Sequence, residues 1–399
     1  MTDWSTPRNS PYSVRRRESL RERALDRESP LRRLDWVLMF AVLALCGLGA
    51  LLVWGATKPG NVAAGLDPNG ALKRDTLNIG IGIAMGSVAA IVDYRTIRAY
   101  TPVLYLASLV GLIAVLVHGQ TVNGSHSWIK LGPGFEVQPS EFAKLALIVL
   151  AAMLLGERRD GASAPDNRDV WWTYAASALP MLLILKQPDV GTIMVVAFVV
   201  FGVISLSGVS ARWIVGMLAV ALIGALVILH LHLLKQYQID RFTNFTNPQK
   251  DSQGTGYNTH QARIAIGSGG WFGKGLFHGT QTNGQFVPEQ QTDFVFTVAG
   301  EELGLVGSGL IVILVGVVLW RGLSIAARAE DAFGTLVAVG VVCWFGFQAF
   351  ENIGMTVGIM PVTGLPLPFV SYGGSSMFAS MLAVGLLQNV HIRSHPSRP

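Results

Sequence analysis

Pro288-Glu-Gln-Gln-Thr-Asp-Phe-Val-Phe296 stands where a polar stretch of the chain gives way to an apolar one. Beyond it, residues 294–320 form an apolar window, longer than the roughly 17–25 residues that a bilayer-spanning helix needs. Before it, Lys235 to Gln291 form a polar segment of about 57 residues, far longer than an ordinary connection. That segment carries aromatic residues, glycines and a few placed charges, so it reads as built rather than floppy. The junction puts Asp293 at the lip of a membrane segment, where a carboxylate is costly unless it has a task or a partner.

The rest of the chain fits a membrane protein. Of 399 residues, 51% are hydrophobic and only 14% charged, against about 25% charged in soluble domains. Mean hydropathy is +0.45. Apolar windows fall near 35–55, 76–92, 101–118, 141–157, 171–186, 189–206, 212–234, 294–320, 332–355 and 371–390. The expected fold is therefore an all-α integral membrane protein of about ten transmembrane helices, with a large extracellular loop, 235–291, between helices 7 and 8. The weakest boundary is Lys186-Gln-Pro-Asp189, the short link between the fifth and sixth windows. Cys46 and Cys343 lie inside apolar runs and offer no disulfide framework.

The net charge of +5 is accounted for by topology, and no nucleic-acid partner is expected. Residues 1–34 hold nine arginines and too few apolar groups to fold alone. They read as a disordered cytoplasmic tail that contacts anionic membrane lipids. No small-residue cleavage site follows the first apolar run, so it is expected to stay as a helix. With the N-terminus inside, the cytoplasmic segments hold 19 Lys and Arg and the outer segments ten. This bias supports an even number of crossings, both termini cytoplasmic, and a long loop facing outward. Residues 35–393 form the membrane domain and 394–399 a short cytoplasmic tail.

Outer-side candidates follow. Asn123–Glu141 is a turn-rich loop entering a helix, with Ser140 as the expected N-cap. Glu141 and Lys144 lie three apart on one face, as a local ion pair or as a charged wall for an anionic lipid-borne substrate. Trp128 is an interfacial anchor or a substrate contact. Asp189 suits the N-terminus of the next helix. Gly267–Gly275 has the look of a phosphate loop but lacks the Ser or Thr after lysine and the preceding strand that such a loop needs. For Asp293 itself there is a plain alternative: Thr292 caps the next helix and the acid favours its dipole. Gly364–Ser376 carries no charge and joins the last two helices through prolines and glycines. Such backbone at membrane depth must be buried in protein or line a cavity, which makes Ser371 a candidate substrate contact.

Five of these motifs, in order, resemble the SEDS family (shape, elongation, division and sporulation) of RodA and FtsW membrane glycosyltransferases. They are Trp128…Gln138-Pro-Ser-Glu141, Pro188-Asp-Val-Gly-Thr192, Ile264-Ala-Ile-Gly-Ser-Gly-Gly270, Phe286–Phe294 and Leu367-Pro-Phe-Val-Ser-Tyr-Gly-Gly-Ser375. Gly273-Lys-Gly-Leu276 and Met360-Pro-Val-Thr-Gly364 are closer to RodA than to FtsW. The resemblance covers about 35–393 and does not explain the arginine-rich tail. It implies ten helices and polymerisation of lipid II into a growing lipid-linked glycan, with undecaprenyl diphosphate leaving. It also implies a class B penicillin-binding protein as partner, in the bacterial cytoplasmic membrane. It places Asp293 on the family's proposed catalytic aspartate, Trp128 on a functional tryptophan, and Glu141 and Lys144 on a cavity-lining pair.

The chemistry needs a base for the attacking hydroxyl and positive charge for the departing diphosphate. Asp293 is the expected base, with Lys144, Arg263 or Lys274 nearest the diphosphates, or a divalent cation, Mg or Mn, in their place. No resident protein-held metal is expected. A lipid II flippase, or a scaffold for the penicillin-binding protein, are the alternatives.

Overall fold

The computed structural model describes residues 33–122, 125–132, 135–157, 164–230 and 255–394. Most of the expected tail, the last residues of the seventh apolar window (231–234), residues 235–254 of the long loop, and 395–399 lie outside the described residues.

In chain order the helices are α1 (Trp36–Ala63), α2 (Gly70–Ile91) and α3 (Tyr94–His118). Three strands follow: β1 (Gln120–Val122), β2 (Ser125–Gly132) and β3 (Phe135–Val137). Next come α4 (Pro139–Gly156), α5 (Asn167–Lys186), α6 (Val190–Leu206), α7 (Ala211–His230), α8 (Thr255–Gly269) and the single turn α9 (Thr280–Asn283). The chain ends with α10 (Val295–Glu302), α11 (Gly304–Arg328), α12 (Ala332–Val357) and α13 (Gly374–Arg393).

Each apolar window overlaps a helix, the seventh within its described residues 212–230. Five helices, α1, α3, α4, α11 and α12, are long and apolar enough to cross a membrane by length and composition. Two details depart from the expected outline. Residues 120–137, expected as loop, form an antiparallel sheet of order β1-β2-β3, with Gln120 opposite Trp128 and Ile129 opposite Val137. Lys130 faces Glu136 across it at 3.6 Å.

The window 294–320 is broken at Gly304, whose φ of +65° a side chain rarely adopts. A Cβ there would lie 2.3 Å from Gly273 N. The reason for the break is the glycine run before it. Lys274 N and Gly275 N donate to Glu301 O and Glu302 O, while Leu305 N and Val306 N donate to Gly270 O and Trp271 O. Gly267–Gly275 therefore docks on the α10–α11 junction, and two of its N–H groups are consumed by helix-end carbonyls that would otherwise lack partners.

Aspartates open four of the helices. Asp35, Asp93, Asp189 and Asp331 each accept a backbone N–H of the first turn of α1, α3, α6 and α12. Ser140 does not cap α4: Gln138 occupies the cap position, Pro139 begins the helix, and Ser140 is buried in its first turn.

Packing is tight where small residues meet backbone. A Cβ at Gly86 would lie 2.6 Å from Met381 O and one at Gly385 2.2 Å from Gly86 O, so α2 and α13 touch directly. A Cβ at Gly49 would lie 2.5 Å from Val370 O, because the segment before α13 is seated against α1, with Leu367, Phe369 and Val370 buried. Two ends of the molecule result. At one, Arg321 holds Asp35 (Nε–Oδ2 2.7 Å), Arg393 donates to Val92 O, Tyr94 bonds Asp331, and Arg98 faces Glu157. At the other, the α1–α2 link, the sheet, the start of α6, residues 288–293 and 363–374 converge.

Candidate active site

That second end encloses a cavity of about 840 Å³. The α1–α2 region lends Asn61, Asp67, Arg74 and Asn78; the sheet and the start of α4 lend Trp128, Gln138 and Glu141; the start of α6 lends Asp189. Glu289, Thr292 and Asp293 line it from the motif before α10, and Gly364, Pro366 and Tyr372 from the segment before α13. Three of the residues expected at the site are thus brought together, Asp293 meeting Trp128 and Glu141 from over 150 positions away in sequence.

The turn carrying Asp293 is tied down at both sides. Thr292 N, Asp293 N and Phe294 N all donate to Glu289 O, and Glu289 itself has φ +53°. Gln290 is buried, with Nε2 donating to Ala56 O and Thr282 O. Tyr372 N donates to Gln291 O, and Asn352 Nδ2 donates to both Asp293 O and Leu365 O. The Asp293 side chain faces Gly364, where a Cβ would lie 3.3 Å from Oδ2.

The alternative that Thr292 caps the helix does not describe this turn. Phe294 is the cap residue, with no side-chain cap bond and no acid in the first turn, and Thr292 Oγ1 donates to Glu289. Asp293 precedes the helix instead of lying in its first turn, and its backbone is held at the cavity wall.

Beneath that wall lies a buried polar chain. Lys144 Nζ donates to Glu141 Oε1 at 2.7 Å and to Gln348 Oε1 at 2.9 Å, and sits 4.6 Å from the centre of the Trp344 ring. Gln348 also accepts from Trp344 Nε1 and donates to Pro366 O. The Lys144 side chain is 0% exposed, so it fixes Glu141 and the 366 segment from behind without lining the cavity. Glu141 Oε2 makes no hydrogen bond among the described residues. Asp189 accepts from Thr192 and from Gln138 Nε2, which joins its expected capping role to the cavity wall.

Three further residues expected at the site lie elsewhere. Arg263 Nε and Nη2 donate to Val357 O and Gly358 O and close the C-terminal end of α12. Lys274 Nζ is paired with Glu301 Oε1 at 2.9 Å, and Glu301 also accepts from Gln281 N and Thr282 N. That carboxylate anchors α9 and takes the lysine with it. Ser371 Oγ accepts from Leu367 N inside the buried segment. Of Lys144, Arg263 and Lys274, expected nearest the diphosphates, none lines this cavity.

The position sequence reading passed over is Arg74, on α2. Among the described residues it is the sole cation that lines the cavity. Its neighbour Lys73 is engaged with Asp67 at 2.7 Å, and the lysine hydrogen bond holds the Asp67 carboxyl below its ordinary range. Spacing carried a signal: Gly70, Arg74 and Asn78 recur at one-turn intervals on the face that meets the cavity. Among the described residues no group of three or more His, Cys, Asp or Glu is set to hold a metal.

A family model described as the cell cycle protein family of FtsW, RodA and SpoVE matches residues 36–395. The peptidoglycan glycosyltransferase MrdB of Escherichia coli K12 is 37% identical over 90% of this chain and 93% of its own. Stage V sporulation protein E of Bacillus subtilis is 38% identical over 89% and 96%. Among solved structures, a chain of a peptidoglycan synthase complex that coordinates polymerization and crosslinking aligns with a TM-score of 0.74 and 32% identity, covering 91% of this chain and 99% of that one. Rod shape determining protein RodA of Thermus thermophilus aligns with a TM-score of 0.65 and 31% identity, over 90% and 96%.

Proposed function

Because this chain belongs to the FtsW, RodA and SpoVE family, as a multi-pass membrane peptidoglycan glycosyltransferase of cell-wall synthesis, we propose that Asp293 is its general base and that lipid II is its substrate. The observation that carries the reading is the meeting of Asp293, Trp128 and Glu141 around one large cavity at one end of the helices.

In the proposed step a sugar 4-hydroxyl attacks the anomeric carbon of a second lipid-linked sugar. The new C–O bond forms as the bond to the diphosphate breaks. The hydroxyl proton passes to the Asp293 carboxylate, and the lipid diphosphate departs. A single displacement of this kind inverts the anomeric centre and needs one base and no covalent intermediate. The backbone bonds from Asn352, Tyr372 and Glu289 that immobilise the Asp293 turn supply positioning, from which much of such a rate enhancement comes. Trp128 offers an apolar wall to a sugar or an isoprenoid.

The partner reading is a class B penicillin-binding protein, supported by the likeness to a chain of a synthase complex that couples polymerization to crosslinking. Ten crossings, the bacterial cytoplasmic membrane, and an outward-facing cavity complete the proposal. A role in elongation rather than division belongs to it as well, on the RodA-like motifs. The start of α1 and the end of α13 meet at the end opposite the cavity, where Gln388 Nε2 donates to Asp35 O, and this supports the even crossing number.

The test is polymerisation of labelled lipid II in detergent, where there is no membrane to flip across, by the purified chain alone and with its partner. Glycan strands are expected from the parent, and a fall of about 100-fold or more in Asp293→Asn. Undiminished polymerisation by that variant would overturn the base assignment; no polymer from the parent complex would favour a flippase or scaffold.

A further inference from the structure

We propose that Arg74 is the residue that binds the diphosphate of the lipid-linked substrate in the cavity; the inference rests on the reading that this cavity takes such a substrate. The first ground is charge balance. Asp67, Glu136, Glu141, Asp189, Glu289 and Asp293 line the cavity, and Arg74 is the only cation doing so among the described residues. A diphosphate entering a wall of carboxylates is repelled unless a cation meets it.

The second ground is availability. Four cations at this end are engaged in ion pairs, Lys73 with Asp67, Lys130 with Glu136, Lys144 with Glu141 and Lys274 with Glu301, and Lys58 lies over the Trp54 and Phe277 rings. Arg74 has no ion-pair partner among the described residues, and it is exposed to the cavity.

The third is placement. Arg74 stands one helical turn before Asn78, which faces the cavity from the same side of α2 and approaches Gly374. The direct α2–α13 backbone contact at Gly86 and Gly385 holds that helix in position. A guanidinium presents a planar fork that matches phosphate oxygens in pairs, which an ammonium cannot do. Arg74 thus supplies from α2 the positive charge that the departing diphosphate requires.

Binding without turnover tests this. The purified full-length chain in detergent is titrated with a polyprenyl diphosphate and with the uncharged polyprenol of equal length. Arg74→Ala is expected to weaken the diphosphate about tenfold or more and to leave the polyprenol within about twofold, with Arg74→Lys in between. Diphosphate affinity in Arg74→Ala within about twofold of the parent would overturn the proposal. So would an equal loss for both ligands, which would mark damage to the fold instead of a lost charge. Asp293→Asn, which removes one carboxylate from the wall, is expected to bind the diphosphate at least as tightly as the parent does. A failure at Arg74 therefore leaves the polymerisation assay of Asp293 standing, and the converse holds.

Discussion

Lys144 illustrates how differently one residue reads at the level of its own chemistry. Sequence spacing paired it with Glu141, and the pair forms, but with the lysine side chain wholly buried. Its charge is matched by Glu141, Gln348 and the face of Trp344. Removing one partner of a buried pair leaves the other charge uncompensated, at a cost of about 3–5 kcal/mol, whereas removing both is far milder. Lys144→Met is accordingly expected to lower the thermal unfolding midpoint in detergent sharply, and Glu141→Gln with Lys144→Met to recover much of it. Equal destabilisation by the single and double variants would show that the pair is not coupled.

Gly364 is the second residue-scale test. It has φ +78°, and an added Cβ would lie 3.3 Å from Asp293 Oδ2. Alanine there costs about 1–2 kcal/mol in backbone strain and crowds the carboxylate, so Gly364→Ala is expected to cut polymerisation well beyond its effect on folding. An equal polymerisation rate per folded molecule would refute that link.

Among elements, the short sheet and the broken helix were the features hardest to foresee. The Asn123-Gly124 pair is a recognised hairpin signal and falls at the join of β1 and β2. The flanking strands are only three and eight residues long, too short for alternation to stand out beside the long helical windows. The break at Gly304 was hidden for another reason: a glycine inside an apolar run is common in membrane helices, and only contact with Gly273 makes it obligatory. Substituting valine for Gly304 puts a side chain into the backbone of residues 272–273. Gly304→Val and Gly273→Val are each expected to destabilise the protein and to speed proteolysis in 270–280. The same change at Gly309, where an added Cβ meets nothing within 4 Å, should be tolerated. Similar behaviour of all three variants would contradict the docking contact.

At the scale of the whole molecule, charge and packing divide the ends. Asp35, Arg321, Asp93, Arg393 and Asp331 cluster at one end, the cavity at the other. On the positive-inside bias, the proposed orientation puts the first end in the cytoplasm. Cysteine labelling in intact cells checks it. Leu66→Cys, beside the cavity and 62% exposed, is expected to react with a membrane-impermeant thiol reagent, and Glu330→Cys only after the membrane is opened. The opposite pattern would invert the orientation. Background should be low, since Cys46 is buried and Cys343 partly so.

Hydropathy, glycine and proline placement and the arginine bias were enough to read a helical membrane protein, because burial in lipid imposes long apolar runs that are visible residue by residue. Asp293, Trp128 and Glu141 stood out through the resemblance of their motifs to the SEDS family. Which cation belongs to the cavity was not visible that way. Lys144, Arg263, Lys274 and Arg74 look alike in one dimension. Their roles diverge only when the tertiary structure decides which carboxylate or carbonyl each one meets, and it leaves Arg74 alone, among the described residues, facing the cavity that Asp293 lines.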